Sequence, residues 1–359
     1  MFPLERILEE KSKDLNERPH LGDDLFRRYI TILEHLKRDV YPYVDSGLAA
    51  KSKGLYTLHN VEHFDEVVRY AGEMLECGDG TQPFNALNAY EIFALLVAIR
   101  IHDAGNAFGR EKHEKRALQI LMDMGNAAMP DAAERKLIAA IAEAHGGRTL
   151  DDDKDTIGKL TAPDKYGNKT VRPKKLAAIL RFADEICESR PRAANLLLRN
   201  NAVPRGNQVY HKYASSITSV IVTPLDQTSK NQTQNCPKQV ELTYEFEMKD
   251  AMKQWGKQTQ NGIEKVFLLE EIFERLEKMF QERQYCIKFM RDICNIVVVR
   301  AEIKIDREIK INKMPLYEQV KFYSVTSEDE GYPKGRVSLR EKLEITGQAL
   351  FEEFQALKG

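Results

Sequence analysis

Apolar positions recur at steps of three and four from residue 22 to about residue 200, broken by short runs rich in Gly, Pro or Asp, a pattern that predicts successive helices. Asp23-Asp24 stand ahead of Leu25, Tyr29, Ile32 and Leu36, as expected for a capped amphipathic helix. Val61, Phe64, Val68, Ala71 and Leu75 predict a second helix that ends before Gly78. Residues 91–101 (EIFALLVAIRI) are apolar on nearly every side, which places that helix in the middle of a bundle. Further helices are expected at about 113–124, 131–145 and 174–188, and the Asp, Lys, Pro and Gly-rich stretch 148–173 reads as an exposed insertion loop. Near residue 215 the period changes: ITSVIVTPL and QVELTYEFEM read as strands separated by a polar loop. A long helix at 263–294, the strand NIVVVRAEIKID and an amphipathic helix near 338–356 complete the chain, with no internal repeat. The expected fold is mainly α, a helical bundle with an appended smaller α+β C-terminal lobe.

Composition changes this picture little. The chain has 359 residues with 42% hydrophobic and 30% charged positions, enough for a full core. Lys+Arg 54 against Asp+Glu 55 gives a net charge of -1, which argues against a nucleic-acid coat or a membrane-surface role. Cys77, Cys187, Cys236, Cys286 and Cys294 form no C-x-x-C pair, so neither a disulfide framework nor a thiolate zinc site is indicated. The first residues, MFPLERILEEKSKDL, lack an apolar core of the signal type, and a soluble cytoplasmic protein without membrane or stable nucleic-acid partners is expected.

The chemistry is concentrated in a few positions. His59 and His63 stand four apart; His102-Asp103 end the apolar helix; His113 follows; His145 ends LIAAIAEAH; and Asp184 lies in KLAAILRFADEI. Counting back four and seven positions from His102, Asp103, His145 and Asp184 reaches core residues, so each shares a helix face with the interior. A buried unpaired carboxylate is costly, and something cationic is required to face these aspartates. Taken singly, a histidine on an apolar face is more often a hydrogen-bonded core residue, and Asp184 has Arg181 and Arg190 nearby as ion-pair partners. Taken as an ordered set, imidazoles and carboxylates from several helices suit a divalent metal.

The order His63, His102-Asp103, Asp184 resembles the H…HD…D signature of the HD superfamily of metal-dependent phosphohydrolases. HFDEVVRYA and IHDAGNAFGREKHEKRAL are similar to that superfamily's segments, and the likeness covers roughly residues 50–200. It divides the chain into an N-terminal helical segment (1–49), an HD phosphohydrolase domain (50–205) and a C-terminal α+β lobe (206–359). By resemblance His63, His102, Asp103 and Asp184 hold a first metal, Asp103 also takes part in catalysis by bridging, and His113 and His145 match the ligands of a second. One or two divalent ions per chain (Mn, Mg, Fe, Co or Zn) are thereby implied. HNxxH resembles the segment of class I cyclic nucleotide phosphodiesterases in which the first histidine donates a proton, which makes His59 the candidate acid and Asn60 a substrate contact.

ADEICES resembles a segment of deoxynucleoside triphosphate triphosphohydrolases, and HDAGNAFG partly resembles their turn, although Asn106 stands where those enzymes have a histidine. The layout also resembles HD domains of bacterial nucleotide-signalling and antiviral defence systems. A nucleotide substrate follows from both likenesses, with Lys53, Asn60, Arg110, Lys112, Arg181 and Arg190 as candidate substrate-binding residues. The leading expectation is a triphosphohydrolase in antiviral defence. The alternatives are a phosphodiesterase for a cyclic or linear signalling oligonucleotide and, in another class, a nucleotide-sensing module. A homo-oligomer with a regulatory nucleotide is expected from the resemblance alone.

Overall fold

The computed structural model describes residues 1–20, 22–44, 57, 61–76, 86–125, 129–146, 154–225, 236–311, 314–327 and 345–356. Helices α1 (Pro3–Lys11), α2 (Leu25–His35), α3 (Val61–Leu75), α4 (Ala89–Ile101), α5 (Ala117–Asp123), α6 (Ala132–Glu143) and α7 (Pro173–Glu185) form a bundle. Every residue of α4 is buried, and α1, α2, α3, α6 and α7 all pack against it. A helix with no polar face has no other stable place. Its start is fixed by Asn88, which accepts from the Glu91 amide while Glu91 accepts from the Asn88 amide. The Asp24 carboxylate caps α2 through the Arg27 amide, as the sequence predicts.

Polar groups buried beside α4 pair with one another. Arg100 donates to Glu5 Oε1 at 2.9 Å and to the Tyr29 hydroxyl at 3.0 Å, and it also bonds Asp65 of α3. Glu91 takes a two-pronged contact from Arg172, 2.7 Å at each oxygen, which ties the start of α4 to the start of α7. Among the described residues no single helix is long and apolar enough to cross a membrane.

The stretch 148–173, expected as an open loop, holds a small antiparallel hairpin, β1 (Asp164–Tyr166) with β2 (Lys169–Val171). Gly167 supplies the left-handed turn (φ +57°), and Tyr166 stacks on Tyr90 of α4 at 4.5 Å, so the apolar residues at both ends find a core after all. Beyond α8 (Asn195–Arg199) and α9 (Gln208–Ser216) come β3 (Ile217–Pro224), β4 (Pro237–Glu247), the short α10 (Met248–Ala251) and a hairpin of β5 (Gln254–Thr259) and β6 (Gly262–Phe267). Helix α11 (Leu268–Met290) follows, then β7 (Asn295–Ile311), β8 (Met314–Thr326) and α12 (Gly347–Ala356). The four-stranded sheet runs β3-β4-β7-β8, with β4 and β7 parallel and the outer pairs antiparallel. A parallel pair needs a long crossover, and α11 provides it.

The lobe departs from the sequence expectation in several elements: residues 263–267 form strand β6 and not the first turn of the long helix, and helix α9, strand β5 and strand β8 (314–326) form where the pattern predicts no element. The last helix covers 347–356; residues 338–344 lie outside the described residues. The lobe is sewn onto the bundle: buried Lys238 of β4 donates to the Glu73 and Met74 carbonyls at the end of α3 (2.6 and 2.9 Å), and α11 packs along α7.

Candidate metal centre

Four helix ends converge on one point. His63 lies in the first turn of α3, His102 and Asp103 follow the last turn of α4, His145 follows α6, and Asp184 lies in the last turn of α7. His113 arrives from a 3-10 turn over His113–Arg116. That turn packs so closely over the HDAG segment that a Cβ on Gly105 would lie 2.0 Å from the His113 carbonyl oxygen. The glycine after His102-Asp103 is therefore what lets His113 reach Asp103.

Asp184 Oδ1 lies 3.3 Å from His63 Nε2 and 3.5 Å from His102 Nε2. Asp103 Oδ2 lies 3.9 Å from His102 Nε2 and 4.0 Å from His63 Nε2, while its Oδ1 faces His113 Nε2 at 2.7 Å and His145 Nε2 at 3.5 Å. The other ring nitrogens are held from behind. Nδ1 of His102, His113 and His145 contacts the carbonyl of Ile99, Arg110 and Ala142 at 2.7, 2.9 and 2.6 Å, and Nδ1 of His63 contacts the Cys187 thiol at 3.4 Å. A carbonyl can only accept, so those three Nδ1 atoms donate, and Nε2 is the atom on each neutral ring that is left to bind a cation.

The donor set fits a divalent cation. Donor atoms of His63, His102 and Asp184 lie within 4.8 Å of one another, as do those of His102, Asp103 and His145. Ligands about 2.1 Å from a common ion stand roughly 3.0–3.4 Å apart in octahedral or tetrahedral geometry, so the separations described need only small adjustment. His102 Nε2 is buried with no hydrogen-bond partner among the described residues, an arrangement that costs free energy and that a bound divalent cation would relieve.

Burial works against charge on both aspartates, yet His102, His113 and His145 hold Asp103 far below the ordinary carboxylate range, and His102 and His63 do the same for Asp184. Burial likewise opposes a charged His102, but Asp103 and Asp184 push it up to about 9. His63 goes the other way, lowered chiefly by burial. Glu185, next to Asp184, is raised to about 7 by burial despite Lys278 at 2.6 Å.

Above these groups opens a cavity of about 300 Å³ lined by Asp103, His113, His145 and Asp184, with Arg110, Lys154, Arg181, Arg192, Arg275 and Lys278 around it. Of the expected substrate contacts, Arg110 lies in this wall, 3.9 Å from Asp103. Arg181 lines it too, but its guanidinium is engaged by Glu282 at 2.6 and 2.9 Å, by Thr156 and by the Lys154 carbonyl. Lys112 is exposed in the turn before His113, and Arg190 lines a separate cavity beside Trp255. Lys53, His59 and Asn60 lie outside the described residues.

Sequence reasoning passed over Cys187, Arg192 and Arg275. Arg192 donates to the Cys187 carbonyl at 2.6 Å, in a 3-10 turn set by Pro191, and that short SRPR run was the available signal. Arg275 comes from α11, where nothing local distinguishes it from its neighbours. A family model described as HD-CE matches residues 54–259, more than half of the chain, and that span holds the six converging His and Asp residues together with β3, β4 and β5. No curated protein and no solved structure matches the chain.

Proposed function

This chain belongs to the HD-CE family, an HD-type assignment that supports metal-dependent phosphohydrolysis, and from it we propose that the substrate is a nucleotide, deoxynucleoside triphosphates foremost, cleaved to nucleoside and inorganic triphosphate. The observation that carries this reading is the pairing of the His/Asp cluster, joined by His113, with a cavity whose wall carries four arginines and two lysines among the glutamates Glu185, Glu188 and Glu282. A divalent ion held by His63, His102, Asp103 and Asp184 supplies Lewis acidity toward a phosphoryl oxygen and lowers the pKa of water.

The chain's own groups do the rest. Arg110 and Arg192 stand at the cavity wall, where guanidinium groups bind phosphate oxygens in pairs and offset their charge. Asp103 stays ionised and is oriented by His113. His113 and His145 stand ready for a second ion, and His59 is the proton donor to the leaving oxygen in this proposal. Depletion of nucleotide precursors in antiviral defence is the setting we attach to it.

The purified full chain with Mn²⁺ is incubated with each deoxynucleoside triphosphate and the products are separated by chromatography. Nucleoside and triphosphate are expected; no product under any divalent metal would sink the reading. Linear product from a cyclic dinucleotide in the same assay would replace it with the phosphodiesterase alternative. Purified protein devoid of metal would favour a sensing module.

A further inference from the structure

The cavity at the metal centre shares Arg110, Glu188, Arg192 and Arg275 with a second cleft of about 500 Å³. The character of the lining changes from one to the other. Around the carboxylates it is acids, imidazoles and cations; in the second cleft it includes Tyr210 and Tyr213 of α9, Asn207, and Gln258 and Ile263 of the β5–β6 hairpin. Four arginines face one glutamate there, and Arg205 forms no ion pair among the described residues.

We propose that this second cleft is the nucleoside subsite, with the base against Tyr210 and Ile263 and the phosphates passing Arg110 and Arg192 toward the metal centre. The proposal rests on the nucleotide reading above and goes beyond it by assigning base and sugar recognition to α9 and the hairpin.

Three features carry it. The first is shape: the cleft is within the range of small-molecule sites, which pair apolar or aromatic walls with a few polar groups. The second is a fixed wall. The Tyr210 hydroxyl donates to the Gln258 carbonyl at 3.2 Å, and a Cβ on Gly256 would lie 2.0 Å from the Arg205 carbonyl oxygen, so β5 is pressed onto the turn that precedes α9. The third is the lip. Ile263, 56% exposed near the turn of the β5–β6 hairpin, lines the same cleft as Tyr210, and flat heterocycles are the ligands suited to an aliphatic side chain and a tyrosine ring in one lining. Gln258 and Asn207 add side-chain amides to the lining, with Gln258 Nε2 donating to the Thr259 and Gly262 carbonyls.

The test measures binding, so it does not depend on turnover. Each of the four deoxynucleosides, which carry no phosphate, and inorganic tripolyphosphate are titrated into the full chain by calorimetry, for the native protein and for Tyr210→Ala, Tyr210→Phe and Ile263→Ser. At least one nucleoside is expected to bind, with Tyr210→Ala and Ile263→Ser weakening it about tenfold and Tyr210→Phe close to native, because stacking survives in phenylalanine. Tripolyphosphate binding is expected to be unchanged in all three. Ile263 is exposed, so its variant keeps the test alive if Tyr210→Ala unfolds. No nucleoside bound at millimolar concentration, or equal weakening of tripolyphosphate, overturns the proposal. Nucleoside binding in a chain that hydrolyses nothing would leave the subsite standing and remove the proposed reaction; hydrolysis of triphosphates with nucleoside binding indifferent to all three variants would do the reverse.

Discussion

Cys187 is buried against the Nδ1 of His63, the one ring nitrogen among the four back-supported histidines that meets a thiol and not a backbone carbonyl. Groups behind a ligand set its tautomer and direction, and losing one typically costs about 10–100-fold in metal affinity. Cys187→Ala is therefore expected to weaken metal binding by about that factor, and Cys187→Ser to recover much of it; a metal titration against a chromophoric chelator reads both. Glu5 acts through stability instead. Burial opposes its charge, but Tyr29, the Phe2 amide and Arg100 outweigh burial and lower its pKa below 4.5. A carboxyl lowered on folding contributes stability that is complete above its unfolded pKa and is lost as pH falls through the folded value. Glu5→Gln is expected to cost about 1–3 kcal/mol at neutral pH and to flatten the loss of stability below about pH 4.5, measured by denaturant unfolding across pH. At this scale the sequence was readable where chemistry is local: the histidines and aspartates are rare residues at the ends of apolar helices. Arg275 was not readable, and Arg192 only through the SRPR run, because common cations acquire meaning only from the cavity they face.

Helix α4 shows what periodicity conveys well. An eleven-residue run without a polar face admits one location, and all of α4 is buried. Strand β6 shows the opposite. Ile263, Val266 and Phe267 continue the apolar spacing of the helix behind them, and only the Asn261-Gly262 turn, with Gly262 at φ +120°, separates a hairpin from a longer helix. The Tyr166-Gly167-Asn168 turn carries the same signal in the stretch read as open loop. Lys238 joins two elements and offers a test at this level. Its ammonium holds two terminal carbonyls of α3, the helix that carries His63, and Lys238→Met leaves them without that donor. A loss of about 1–3 kcal/mol in denaturant unfolding is expected, with protection of α3 amides from hydrogen exchange falling more than that of α4.

At the scale of the whole molecule, the lobe takes part in the site. α11 lies along α7, which bears Asp184, and brings Arg275, Lys278 and Glu282 to the cavity, so the wall crosses the boundary that sequence patterns suggest near residue 205. The family match, which runs to residue 259, crosses it too. A ligand that binds only the folded state stabilises by mass action, by about 2.7 kcal/mol at one hundred times its Kd. Removing divalent ions with a chelator is thus expected to lower the melting temperature of the full chain by several degrees, and restoring them to reverse the change.

The central claim is that the cluster around His102-Asp103 holds a divalent metal, and elemental analysis of mildly purified full-length protein tests it most directly. About one to two ions per chain are predicted for the native protein, falling below about 0.1 in His102→Ala that still melts cooperatively. Native protein that contains less than about 0.1 ion per chain, and takes up none on titration with manganese, iron or zinc, would contradict it.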